Sequence, residues 1–211
     1  MIPVVPPLYV ILSSGSFPGE PDDWARRLAE AGVEMIQYRA KQAPSRELLR
    51  VARRLAALSH SLHFRFVMND RADIAALAGA GGVHVGQEDL PVEASRRICG
   101  SSCWVGVSTH NLEQVQAAAA TSADYIAVGP VFRTETKENA DPVVGVEFVR
   151  RARGLSGKPL VAIGGITAER APEVYAAGAD SVAVTADVAR ASDLSARVRA
   201  YLRAAREAHP S

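Results

Sequence analysis

The sequence predicts a small (β/α)8 barrel of the TIM type, an α/β fold with few decorations, on three observations. Short runs rich in Val, Ile and aromatic residues recur at a spacing of roughly 20 to 30 residues, each followed by an Ala-, Leu- or Arg-rich stretch with helical periodicity. Runs such as Ile126-Ala127-Val128 and Val161-Ala162-Ile163 do not alternate with polar residues, as expected of parallel strands covered on both faces. The pairs number about eight, whereas an open doubly wound domain of this length usually carries about five or six. With 211 residues and 48% hydrophobic content, the chain can bury one core and is read as one domain over 1–211.

Taken in order, the apolar run Leu8 to Leu12 is the first strand, and its helix runs from Asp22 to Ala31 with Gly32 as the stop. Glu34 to Tyr38 precedes Ser45 to Leu62, where Ser45 supplies an N-cap and Leu48, Leu49, Ala52 and Leu55 form an apolar stripe. Phe64 to Met68 leads to Ala72 to Ala78, ended at Ala80-Gly81, and Gly82 to Val85 leads to Pro91 to Cys99. Trp104 to Val107 is followed by Asn111 to Thr121, capped by Asn111, and Tyr125 to Val128 by Gly145 to Ala152. Leu160 to Ile163 precedes Ala168 to Ala177 with Gly178 as the stop, and Ser181 to Val184 precedes Ser192 to His209. The polar connection from Arg133 to Val144 is conspicuously long for a compact barrel and reads as a mobile lid.

Lys and Arg total 24 against 23 Asp and Glu, so a net charge of +1 offers no long-range field for nucleic acid or an anionic membrane. Small charged molecules are the expected partners. No apolar run approaches the ~20 residues that span a bilayer, and Met1 to Pro7 lacks the regions of a signal peptide, so a cytoplasmic protein is expected. Cys99 and Cys103 lack the spacing and partner histidines of a metal site and are read as packing thiols. Self-association into a homo-oligomer is left open.

In a barrel of this kind the loops after the strands build the active site. Gln37, Arg39 and Lys41, at a spacing of two, would share one face after the second strand, and two cations on one face call for an anion. Asn69-Asp70 follows the third strand and Gln87-Glu88-Asp89 the fourth, which projects Asp70 and Asp89 over the same mouth, where they could hold one Mg²⁺. Helix capping by Asp70 and Asp89 is the plainer alternative. Ser108, after the fifth strand, is aimed at the mouth, but no Gly-x-Ser-x-Gly elbow or His-carboxylate pair makes it a hydrolase nucleophile, and His84 reads as a half-buried strand-end residue. Thr134, Thr136 and Lys137 bring hydroxyls and a cation on the lid. Gly164-Gly165 after the seventh strand and Thr185-Ala186-Asp187 after the eighth suit a monophosphate, or else a tight turn.

These segments resemble the thiamine-phosphate synthase family over essentially the whole chain. The resemblance is carried by Gln37-Tyr38-Arg39-Ala40-Lys41, Asn69-Asp70-Arg71-Ala72-Asp73, Gly82 through Leu90, Gly106 through His110, Gly129 through Lys137 and Ala162 through Ile166. It implies a transferase that joins 4-amino-5-hydroxymethyl-2-methylpyrimidine diphosphate to 4-methyl-5-(2-hydroxyethyl)thiazole phosphate with Mg²⁺, releasing pyrophosphate. By the same resemblance Gln37, Tyr38, Arg39, Ala40, Lys41, Asn69, Ser108 and Lys137 contact the pyrimidine diphosphate, with Arg39, Lys41, Ser108 and Lys137 as the catalytic groups. The resemblance likewise implies that Asp70 and Asp89 bind the metal and that Thr134, Glu135, Thr136, Gly165, Thr185 and Ala186 line the thiazole phosphate site. The family commonly has Val-Ser where this chain has Thr185-Ala186, which moves a hydroxyl by one position and bears on thiazole phosphate affinity. A thiazole tautomerase shares the resemblance, but such relatives tend to carry His at Pro130 and to lose Asp70, Asp89 and Lys137. A non-catalytic thiamine-phosphate-binding regulator is the other alternative.

Overall fold

A computed structural model describes residues 4–134 and 142–209. Eight parallel strands close on themselves in sequence order: β1 (Leu8–Ser13), β2 (Met35–Arg39), β3 (Arg65–Asn69), β4 (Gly82–Val85), β5 (Trp104–Thr109), β6 (Tyr125–Val128), β7 (Leu160–Ile163) and β8 (Ser181–Val184). The helices between them are α1 (Pro21–Glu30), α2 (Ser45–Leu62), α3 (Ala72–Ala78), α4 (Val92–Cys99), α5 (Leu112–Ala119), α6 (Gly145–Leu155) and α7 (Ala171–Ala176). After β8 the chain makes a short helix, α8 (Ala186–Ala189), before α9 (Leu194–Ala208). The sequence missed α8, because four residues hold too few turns for a periodicity to show.

Strand alternation sorts the interior into two cores. Outward residues such as Val10, Ile36, Phe66, Val105 and Val182 pack under the helices, while Tyr9, Ile11, Met35, Val67, Tyr125, Ala127, Val161 and Ala183 fill the barrel itself. Arg65 closes the lower end, its guanidinium 3.7 Å over the Trp104 ring and hydrogen-bonded to the Gly81 carbonyl at 2.9 Å. Cys103 is buried and Cys99 half-buried, both free thiols.

Two local expectations shift. Ser45 does not cap α2: Pro44 occupies that position, and Ser45 Oγ instead accepts a 3.0 Å hydrogen bond from Arg71 Nη1. Helix α3 stops one residue past its end at Gly79, whose φ of 70° is the left-handed conformation, rather than at Ala80-Gly81. Asn111 caps α5 as expected, accepting from the Gln114 amide at 2.8 Å. The lid expected over Arg133 to Val144 has its middle, 135–141, outside the described residues, and its base is tied by hydrogen bonds from Val144 N to Pro130 O and Gly145 N to Val131 O. Among the described residues no helix is long and apolar enough to cross a membrane.

Gly106 on β5 is required by close packing, since a Cβ there would meet the Tyr125 ring at 2.1 Å. Gly106→Ala is expected to lower unfolding free energy by about 2 kcal/mol or more, from overpacking of a filled barrel, read as a fall in the urea midpoint.

Candidate active site

The carboxyl ends of the strands open into one large cavity of about 1370 Å³, lined on one side by β1 to β5 and on the other by the loops after β6, β7 and β8. Strand β2 sends Gln37 and Arg39 into it, and Lys41, just past the strand end, joins them. Tyr38 and Ala40 do not: extended residues alternate, so both side chains turn away from the axis and pack in the outer core. Contact of Tyr38 and Ala40 with a ligand would therefore run through their backbone.

Asn69 ends β3, and Asp70 just after it takes an unusual backbone conformation for a non-glycine residue, with φ of 62°. Its amide donates to the His84 carbonyl at 2.7 Å, which pins the loop to β4. Across that seam the Asp89 carboxyl lies within hydrogen-bonding reach of Asp70. Burial pushes the Asp70 carboxyl above the usual carboxylate range and the like charge of Asp89 pushes it further, while Lys41, with Nζ 3.4 Å from Oδ2, pulls it back. Neither aspartate caps a helix. The cap positions of α3 and α4 are Arg71 and Pro91, and Asp89 Oδ2 accepts instead from the Gly86 amide at 2.7 Å.

Ser108 lines the cavity as expected, and Gln87 Nε2 donates to its carbonyl at 2.6 Å. Its hydroxyl is 2.9 Å from His84 Nε2, and His84 is buried rather than half-buried. Burial lowers the His84 pKa to about 4, so the imidazole is neutral at physiological pH. Thr134, Gly165, Thr185 and Ala186 converge on the opposite wall, Thr185 preceding α8 and Ala186 beginning it. Glu135, Thr136 and Lys137 lie outside the described residues. The two glycines answer to packing: a Cβ on Gly164 would meet Pro130 Cβ at 2.5 Å, and one on Gly165 the Arg133 carbonyl oxygen at 2.3 Å. The loop after β7 thus lies directly against the loop after β6.

Sequence reasoning missed Tyr9, deep in the cavity, and Arg133, Arg170 and Arg190 on its rim. Arg170 is held by stacking, 4.6 Å above the Phe132 ring, and donates to the Gly165 carbonyl at 3.2 Å. Single arginines on or beside helices carry no signal in sequence; only the closed barrel turns them toward the mouth.

The residues present suit a divalent ion that prefers oxygen. Two carboxylates meet without enough positive charge between them, no cluster of three or more His, Cys, Asp or Glu occurs among the described residues, and the rest of a coordination shell would fall to water and substrate oxygens. The donors on offer are oxygens, the ligand type of hard divalent cations.

Comparison with known proteins agrees with this chemistry. A family model described as thiamine monophosphate synthase matches residues 8–188. A thiamine-phosphate synthase of Koribacter versatilis is 48% identical over 87% of this chain and 89% of its own length, and one from Methanoculleus marisnigri is 42% identical over 84% of each. Among solved structures, a thiamine phosphate pyrophosphorylase from Pyrococcus furiosus superposes with a TM-score of 0.86 at 32% identity, covering 96% of both chains.

Asp89→Asn keeps an acceptor for the Gly86 amide and removes the like charge, so the Asp70 carboxyl should titrate lower, read by carbon-13 NMR. In the metal-free protein Asp70 titrates above its unfolded value, so its contribution to stability is present at low pH and lost as pH rises through the folded pKa. The variant should lose less stability than the parent in urea titrations as pH rises above the unfolded aspartate value of about 4.

Proposed function

This chain belongs to the thiamine monophosphate synthase family, and from that membership we propose that it joins the pyrimidine diphosphate to the thiazole phosphate, giving thiamine phosphate and pyrophosphate. The observation that carries the site assignment is the meeting of Asp70, Asp89, Lys41 and Arg39 at one end of one cavity. The reaction is an alkyl transfer in which a C–O bond to pyrophosphate breaks before or as the thiazole nitrogen attacks the pyrimidine methylene.

Asp70 and Asp89 would hold Mg²⁺, which supplies divalent charge against the diphosphate when bound. Arg39 and Lys41 place fixed positive charge where the leaving group gathers negative charge, and Lys137, outside the described residues, is the third cation assigned to that task. The pyrimidine amino group delocalises the cation left on the methylene carbon. Since the thiazole nitrogen attacks with a lone pair and has no proton to lose, the site needs no general base, in keeping with a neutral, buried His84. Gln37, Asn69 and Ser108 orient the pyrimidine diphosphate. Thr134, Gly165, Thr185 and Ala186 take the thiazole phosphate at the opposite wall, and Glu135 and Thr136, outside the described residues, are assigned to the same task. A cytoplasmic location is part of the same proposal.

Purified protein given Mg²⁺ and both phosphorylated heterocycles should yield thiamine phosphate by mass spectrometry, and chelation by EDTA should stop it. Asp70→Ala and Lys137→Ala should each cut turnover by about 100-fold or more while leaving thiazole phosphate affinity within about threefold. Near-normal pyrophosphate release by these variants would remove the assigned roles.

A further inference from the structure

Between Gln37 and Ser108 the barrel interior holds a continuous run of polar side chains that the charge chemistry leaves unused. The Gln37 amide nitrogen donates to the Tyr9 hydroxyl at 2.6 Å, and the Tyr9 and Tyr125 hydroxyls are 3.1 Å apart. Tyr125 in turn lies 3.1 Å from His84 Nδ1, and His84 Nε2 lies 2.9 Å from Ser108 Oγ. Both tyrosines and His84 are buried, and their rings lock together: Tyr9 meets Tyr125 edge-on at 6.0 Å and His84 stacks on Tyr125 at 5.5 Å. Gly106 exists beside this cluster to admit the Tyr125 ring.

Counting hydrogens gives the run a direction. An amide nitrogen only donates, so the Tyr9 oxygen accepts and its own proton goes to Tyr125, its other partner among the described residues. The Tyr125 proton then goes to His84 Nδ1, which must present a lone pair. A neutral imidazole with a bare Nδ1 carries its hydrogen on Nε2, which donates to Ser108 Oγ. The Ser108 oxygen is thereby occupied and its proton is left for the cavity. A protonated imidazole would reverse the flow and leave the Tyr9 proton without a partner among the described residues in a buried site, which is costly.

We propose that His84, with Tyr9 and Tyr125, is a positioning residue that fixes the Ser108 hydroxyl as a hydrogen-bond donor to the substrate, with the Gln37 carbonyl oxygen as the acceptor at the other end of the relay. The cavity then selects for a ligand with an acceptor atom at Ser108 and a donor at Gln37. An aminopyrimidine supplies both, an amino donor beside a ring-nitrogen acceptor. The identity of the ligand rests on the reaction proposed above; the polarity of the relay does not.

Nitrogen-15 NMR of the histidine-labelled full chain at neutral pH, with the His84 signals assigned by their loss in His84→Gln, should show Nδ1 unprotonated and Nε2 protonated. A hydrogen on Nδ1, or on both nitrogens, would make Ser108 an acceptor and overturn the proposal. Tyr125→Phe, which keeps the ring and its packing, should lower kcat about tenfold with KM for the thiazole phosphate unchanged, and should add nothing to Ser108→Ala. Additive losses in the double variant would show that Tyr125 does not act through Ser108. Because the NMR measurement needs no substrate, a chain that made no product would remove the assigned reaction while the relay was still judged by its tautomer.

Discussion

Every residue on a strand of a closed parallel barrel points either at the axis or at the helices, and that two-residue alternation governs where the rest of this molecule's chemistry can be. On β2 it sends Met35, Gln37 and Arg39 inward and Ile36 and Tyr38 outward, so one strand contributes to the lower core, the cavity wall and the charged rim in turn. On β6 and β8 the inward positions nearest the mouth are Ala127 and Ala183, whose small side chains leave the space that larger residues fill lower down. The cavity is thus a consequence of side-chain size at a few inward positions of an otherwise packed interior.

The rim carries stored electrostatic cost. Asp70 is partly desolvated, faces the like charge of Asp89 and sits in a left-handed backbone conformation that its residue type only tolerates. None of this favours the folded state on its own, and Lys41 offsets it only in part, from an exposed position where screening by water is strong. A bound cation and an anionic substrate would relieve it. The arrangement follows the usual trade between stability and function, with unfavourable charge concentrated where ligand charge is to arrive.

Deeper in the barrel the same problem is solved without charge. Tyr9, Tyr125 and His84 are buried polar groups, and each has its hydrogen-bonding partners within the cluster, so their desolvation is compensated group by group. The result is a polar floor without charged groups beneath a rim of charged side chains. That separation matches a substrate with an uncharged ring at one end and a diphosphate at the other.

The eight strands and their order were legible in the amino-acid sequence, because buried parallel strands are compact runs of β-branched and aromatic residues set off by glycine and polar loops. The polar ends of those strands were legible too, and Gln37, Arg39, Lys41, Asn69, Asp70, Asp89 and Ser108 come together as the barrel rule requires. The four-residue helix α8 left no periodicity to read, and Pro44 displaced the cap expected at Ser45. The two-residue alternation already set Tyr38 and Ala40 opposite Gln37, Arg39 and Lys41, whereas tertiary structure alone decided that Arg170 faces into the cavity. Tertiary structure also brought together Tyr9 and Tyr125, which are 116 residues apart in sequence. Strand and helix propensities act between near neighbours and are written in the local sequence. Which side chains meet across the axis depends on the register and tilt of strands far apart in the chain, and no local pattern encodes that.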